Sequence, residues 1–365
     1  LNDLTEEVNL MKKLMMALTI AASFAVAGPA LAADKLKIGF IYIGPPGDFG
    51  WTYQHDQGRK QLEKELGDKV ETTFLENVPE GADAERSIER LARAGNKLIF
   101  TTSFGYMDAT VKVAQKFPDV KFEHATGYKT AENVSVYNSR FYEGRYVQGV
   151  IAAKMSKAGV AGYIGSFPIP EVVEGINSFM LGAQSVNPNF KVKVIWANAW
   201  FDPAKEADAA KALIDQGVDI ITQHTDSTAA MQVAAERKIK AFGQASDMIK
   251  FGPETQLTSI VDNWGPYYIE RAKAVLDGTW KSHNVFEGMK EGLVVMAPYM
   301  NMPDDVKKLA EETQAKITSG ELKPFTGPIK KQDGSEWLKA GETADDKTIL
   351  SMNFYVAGVD DKLPK

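Results

Sequence analysis

Leu36-Lys37-Ile38-Gly39-Phe40-Ile41-Tyr42-Ile43 (LKIGFIYI) is apolar at nearly every position. A short continuous apolar run of this kind marks a strand buried on both faces of a parallel sheet. A turn rich in Gly and Pro follows, and then a helical stretch to about Leu66. The alternation continues outward. Strands are expected at Val70–Glu76, Lys97–Thr101 and Val120–Ala125, with helices at Asp83–Ala94 and Met107–Phe117. After a bridge around Asn133–Arg140 and a helix over Phe141–Ser156, a second block begins. Its expected strands are Val160–Gly165, Val192–Trp196, Val218–Gln223 and Ile239–Gly243, and its helices Val172–Ser185, Ala204–Gln216 and Ser227–Glu236. Two successive blocks of βα units imply two parallel sheets, each covered by helices on both faces, in an α/β protein.

A third section is shorter, with a strand at Leu257–Val261, a helix at Pro266–Leu276 and a strand at Gly292–Met296. Such a return implies a chain that crosses between two lobes more than once, which makes a hinge around a ligand cleft. The expected division is residues 34–138 plus about 264–290 in lobe 1, and 139–263 plus about 291–365 in lobe 2. The tail Gly320–Lys365, rich in Pro, Gly and Lys, is placed only loosely.

Residues 1–10 read as an upstream extension and 11–32 as a signal peptide: Met11-Lys12-Lys13 is basic, Leu14–Ala27 apolar, and Ala30-Leu31-Ala32 a small-x-small cleavage site. The apolar run is short for a membrane span, which needs roughly 20 residues. Cleavage would leave a protein starting at Ala33 or Asp34. With no cysteine in the chain, disulfides, thiolate metal sites and a lipidated cysteine at the cleavage site are all excluded. A periplasmic location without lipid anchor is therefore expected. A net charge of −6 disfavours nucleic acid as a partner, since that needs a basic face. A monomer is expected.

In open α/β sheets, ligands sit beyond the carboxyl ends of the strands. The residues placed there are Asp48, Phe49, Trp51 and Thr52 after the first strand, and Phe104, Tyr106 and Asp108 after the third. In the second block they are Phe167, Trp200, Asp226 and Asp247, with Trp264 further on. Aromatic faces grip planar rings by stacking, and carboxylates accept from ring N–H, amino groups or sugar hydroxyls. Trp51 and Trp200, one from each lobe, are placed to close on a ring like two plates; some of these aromatics would also serve as core caps of the sheet ends. The four histidines (His55, His124, His224, His283) form no HExxH pair, and neither a G-x-S-x-G elbow nor a P-loop occurs. No metal, cofactor or catalytic residue is expected, and Arg145, on the helix after the bridge, reads as surface charge.

Over about residues 36 to 320 the sequence resembles the basic membrane protein family of ABC-importer solute-binding proteins, which includes purine nucleoside receptors. Asp48-Phe49-Gly50-Trp51-Thr52 through Gly58 is similar to the family's D-x-G-F-N…G element. Ser103 to Ala109 resembles its turn ending in Asp-Ala, and Glu143 to Gly149 its E-x-x-Y-L-x-G helix. Gly165, Pro170-x-Val172, Phe179 and Gly182-Ala183 resemble its G-x-x-x-P-x-V…G-F-x-x-G-A stretch. The resemblance implies the type I periplasmic-binding fold, with two Rossmann-like lobes, and a purine ligand passed to an inner-membrane permease. It also implies that Thr52 and Asp108 bond the base edge and that Asp247 faces the sugar position. Two departures stand out: Thr52 replaces the family's Asn, and Asp262 stands where its Thr-Ser-x-x-Lys element has the ribose lysine. Without that lysine, a free base such as adenine, guanine or hypoxanthine is expected rather than a nucleoside. The alternatives are a purine nucleoside, another solute such as a sugar or an autoinducer, and, from another class, an exported nucleoside hydrolase.

Overall fold

The computed structural model describes residues 34–364, so the signal-peptide reading lies outside the described residues. The opening run forms β1 (Leu36–Ile41), with Ile38, Phe40 and Ile41 wholly buried. It pairs in parallel with β2 (Val70–Leu75), which returns after α1 (Trp51–Leu66), and Leu36 stands opposite Val70. Next come α2 (Ala82–Arg93), β3 (Leu98–Thr101), α3 (Met107–Ala114), β4 (Lys121–Ala125) and β5 (Val134–Ser139).

The chain then leaves this sheet through α4 (Phe141–Met155). The second lobe is built from β6 (Val160–Gly165), α5 (Pro170–Gln184), β7 (Lys191–Trp196), α6 (Pro203–Asp215), β8 (Ile220–His224), α7 (Ala229–Glu236), β9 (Lys240–Gly243) and β10 (Gln256–Asp262). The return section holds α8 (Gly265–Leu276), which packs on α1, then β11 (Asn284–Glu287) and β12 (Val294–Met296). The tail adds α9 (Asp304–Ser319), the small hairpin β13 (Ile329–Lys330) and β14 (Glu336–Leu338), and α10 (Asp346–Ile349).

Two six-stranded sheets result, in the orders β2-β1-β3-β4-β5-β11 and β7-β6-β8-β9-β10-β12. Only β12, against β10, runs antiparallel within them. The shared strand order gives two doubly wound halves, and the chain passes between them after β5, after β10 and after β11. This is the α/β fold with two Rossmann-like lobes that the sequence implied.

The expected bridge at Asn133–Arg140 is instead a fully buried strand, β5. Two of its polar side chains, Ser135 and Asn138, find partners inside, while the Ser139 hydroxyl has none among the described residues. Ser135 accepts from the Arg271 guanidinium at 3.1 Å and from the His283 backbone N–H at 3.2 Å, so the buried hydroxyl oxygen is partnered. The tail is also ordered against the body. Asp346 makes a two-pronged pair with Arg140 at 2.7 and 2.8 Å, beside the first crossing between lobes. Near the C-terminus the chain lies along β7: Val192 N–H donates to Gly358, Asp360 N–H donates back to Val192, and the Asp361 carboxylate accepts from Val194 N–H at 2.6 Å.

Helices α4 and α5 approach closely enough to need glycine on both sides. A Cβ on Gly149 would strike the carbonyl of Phe179, and one on Gly182 the carbonyl of Tyr146. Backbone cannot yield as a side-chain tip can, so Gly149→Ala and Gly182→Ala should each destabilise by about 1–3 kcal/mol or more. Chemical denaturation with the m-value held constant measures this; a change within experimental scatter for both would refute the close crossing.

Candidate functional site

The carboxyl ends of the two parallel sheets frame a tight cavity of about 20 Å³, space for about one water molecule. Lobe 1 contributes Ile43, Trp51, Ser103, Phe104 and Thr126, and lobe 2 contributes Glu171, Trp200, His224, Asp226 and Gln244.

On the lobe 1 side, Asp48 sets the geometry. Its buried carboxylate accepts from the backbone N–H groups of Gly50 (2.8 Å), Thr52 (3.1 Å) and Tyr53 (2.9 Å), satisfying the first turn of α1. Burial outweighs those bonds and pushes the Asp48 carboxyl up to about 6. Trp51 opens the helix at the cavity wall. Its indole N–H donates to the Thr102 carbonyl at 2.7 Å, and its ring meets Trp264 edge to face with centroids 5.5 Å apart. Trp264 is wholly buried and stacks on His55 at 4.7 Å, so it backs Trp51 rather than reaching the cavity. Thr52 is also turned inward, where its hydroxyl accepts from Gly44 N–H at 3.2 Å.

On the lobe 2 side, Trp200 stands on the loop after β7 with Phe167 edge-on at 5.2 Å. Its indole N–H crosses to the Glu80 carboxylate of lobe 1 at 3.3 Å. The same carboxylate oxygen accepts from Ser103 Oγ (2.6 Å) and Gly105 N–H (3.1 Å), so one acid ties the lobe 1 loop to the lobe 2 aromatic. Phe49 is a second tie. Held at φ +60°, it packs against Tyr53 and Phe251, lies 3.4 Å from the Lys250 ammonium, and accepts from Ser246 Oγ through its carbonyl. It bridges the lobes rather than lining the cavity. A third approach lies beside it, where a Cβ on Gly50 would collide with the Asp226 carbonyl.

The polar floor was only partly foreseen. Glu171 reaches His224 Nε2 at 3.4 Å, and burial keeps the imidazole toward its neutral form. Arg145 is not on the surface: it is wholly buried, donates to Gln148 (3.2 Å), Thr222 (3.1 Å) and Gln244, and lies over Tyr163. Asp262 is also buried at the end of β10, with neither carboxylate oxygen hydrogen-bonded among the described residues, and burial pushes it well above the usual carboxylate range.

Eight of the twelve expected site residues do not line the cavity: besides Asp48, Phe49, Thr52, Phe167 and Trp264, these are Asp108, Tyr106 and Asp247. The Asp108 side chain is exposed and pairs with Lys129 at 2.6 Å. Tyr106 is core, with its hydroxyl donating to the Val78 carbonyl at 2.5 Å. Asp247 is exposed and holds its own loop, accepting from Ile249 N–H and from Gln256 at 2.7 Å. Conversely, Ile43, Ser103, Thr126, His224 and Gln244 sit at or just past strand ends, where the strand-end rule points. Glu171 is the second residue of α5 and carried no such signal. Among the described residues no cluster of three or more His, Cys, Asp or Glu is arranged to hold a metal, and no helix is long and apolar enough to cross a membrane.

Residues 35–324 match the Bmp family, described as ABC transporter substrate-binding protein PnrA-like. A purine-binding protein of Brucella abortus (strain 2308) is 82% identical over 350 residues, covering 96% of this chain and all of the relative. A Haloferax volcanii protein named for glucose binding in an ABC transporter is 36% identical, covering 92% of this chain and 83% of its own. Among solved structures, an ABC transporter solute-binding protein of Aeropyrum pernix K1 superposes with a TM-score of 0.70 at 21% identity, covering 86% of this chain and 95% of that one, a likeness of fold. With two lobes, a cleft at their strand ends and a family match across most of its length, the chain belongs to the Bmp family of ABC transporter substrate-binding proteins.

Proposed function

We propose that the solute is a free purine base, held between Trp51 and Trp200 and delivered to an inner-membrane permease by a monomer in the periplasm. The observation that carries this reading is the pair of indoles from opposite lobes lining one cavity. A planar heteroaromatic ring gains from both faces in such a site, roughly 0.5–1.5 kcal/mol per stacked pair beyond burial. The polar lining supplies acceptors and donors at the ring's edge through Glu171, Asp226, Gln244 and Ser103. No Lys or Arg lines the cavity, which disfavours a phosphorylated ligand. The Brucella relative's name supports the purine, and Asp262 in place of the family's lysine supports the base over the nucleoside. The family is one of binding proteins rather than enzymes, so hydrolysis of nucleosides forms no part of this reading.

A sugar is the second reading, favoured by the glucose-binding name of the Haloferax relative and by the tendency of sugars to stack on indoles. Protein purified without refolding distinguishes the two: released purine absorbs in the ultraviolet and a sugar does not. Calorimetry of ligand-free protein should then show adenine binding more tightly than adenosine, and the reverse order would overturn the free-base proposal.

Trp200→Ala should weaken ligand binding by about tenfold to a hundredfold while leaving the unfolding midpoint nearly unchanged, because its ring lies at the cleft. Trp51→Ala should weaken binding similarly and also cost stability, since it packs on Trp264 and Phe141. Gly50→Ala should hold the lobes apart at Asp226, lowering affinity and raising the ligand-saturated radius of gyration in solution scattering. Unaltered affinity in all three would remove the basis of the stacking model.

A further inference from the structure

The cleft holds more carboxyl groups than its nearby cations serve, and of those left without a donor Asp226 is the one that lines the cavity. Asp226 is 4% exposed, and what acts on its carboxyl is burial and neighbouring carboxylates, with no donor among them. Four other acids face it from four elements: Asp48 before α1, Glu206 on α6, Asp262 at the end of β10 and Glu171 on α5. Two of these are provided for. Asp48 takes three backbone N–H groups, and Glu206 takes Asp202 N–H and both the N–H and hydroxyl of Ser227. The positive groups are turned elsewhere. Arg145 donates to Gln148, Thr222 and Gln244, Lys250 sits over the Phe49 ring, and His224 faces Glu171.

An ionised carboxylate in this position would lose hydration and face like charges with no donor in return. The uncharged form has one O–H to give and one carbonyl to receive. On the reading that the cleft takes a purine base, we infer that Asp226 is its specificity-determining residue, pairing as an uncharged carboxyl with the amidine edge of a 6-aminopurine. The O–H donates to a ring nitrogen while the C=O accepts from the adjacent N–H. An oxopurine edge of N–H beside C=O fits the same shape, but its carbonyl is a weaker acceptor than an amidine nitrogen. The two-donor face of guanine calls for an ionised carboxylate instead. Burial, and after it the charges of Asp48, Glu206, Asp262 and Glu171, push the Asp226 carboxyl well above its ordinary range, in the direction this pairing needs.

The pairing requires the proton on Asp226. Affinity is therefore full below the raised pKa and lost as pH climbs through it, by about tenfold per pH unit beyond. Calorimetry on the ligand-free full chain with adenine, hypoxanthine and guanine, from neutral into alkaline pH, tests this. Adenine should bind at least about tenfold more tightly than either oxopurine, and its affinity should fall with rising pH. Asp226→Asn carries a fixed donor and acceptor, so it should keep adenine affinity within about tenfold and lose the alkaline fall. Asp226→Ala should lose binding. The inference is overturned if purines bind but the wild-type affinity is flat with pH, if oxopurines bind as well as adenine, or if Asp226→Asn keeps the pH profile, which would assign it to Asp48. Absence of binding by every purine to the wild-type chain would overturn the purine reading as well. The wild-type pH profile decides the matter even where a variant folds poorly.

Discussion

The backbone of Gly50 runs against the carbonyl of Asp226 with no room for a Cβ, and this approach closes the two lobes beside the cavity that Asp226 lines. It brings the start of α1 onto the loop after β8, placing the Asp48 and Asp226 carboxyls within one another's field. It also lets the Phe49 carbonyl reach Ser246 and the Phe49 ring reach Lys250 and Phe251. Trp200 completes the closure from the other side through Glu80. Interlobe contacts of this kind are what a ligand can trade on, because it shifts a two-state hinge only by contacts that differ between the states. Here the contacts sit at the rim, and the space they seal is small.

The electrostatics follow from the same closure. Water is excluded from a floor that carries Glu171, Asp226 and Asp262 above a single guanidinium, that of Arg145. That guanidinium is itself anchored to neutral oxygens of Gln148, Thr222 and Gln244. Its charge is thereby spread into amide and hydroxyl dipoles and fixed in direction before any ligand arrives. A floor arranged this way favours hydrogen-bond matching with a neutral heterocycle over pairing with an anion.

Where burial follows from apolar patterning, the sequence was readable. The runs at β1, β3 and β6 announced parallel strands because both their faces are covered, and the repeated alternation with helices implied two sheets. β5 was hidden because Ser135 and Asn138 look like turn residues, yet they are buried with their own partners, Ser135 against Arg271 and Asn138 against Ser139 N–H. Half-exposed β11 gave no periodic signal. In the site, Trp51, Phe104, Trp200 and Asp226, pointed to by the strand ends, line the cavity. The same rule places residues at the mouth without fixing depth, which is why Asp108 and Asp247 were drawn in although their side chains face solvent. Arg145 was misread for a related reason. α4 is buried around most of its circumference, between the second sheet, α5 and α9, so a charge on it lies in the interior.

The tail has a consequence outside ligand capture. β7 is the outermost strand of the second sheet, and an open strand edge is a template for pairing with another molecule. The segment Gly358–Asp361 occupies that edge with two backbone hydrogen bonds to Val192 and a carboxylate on Val194 N–H. Gly358–Asp361 thus acts as a selvedge, finishing this stretch of the sheet edge so that a neighbouring copy finds Val192 and Val194 already paired.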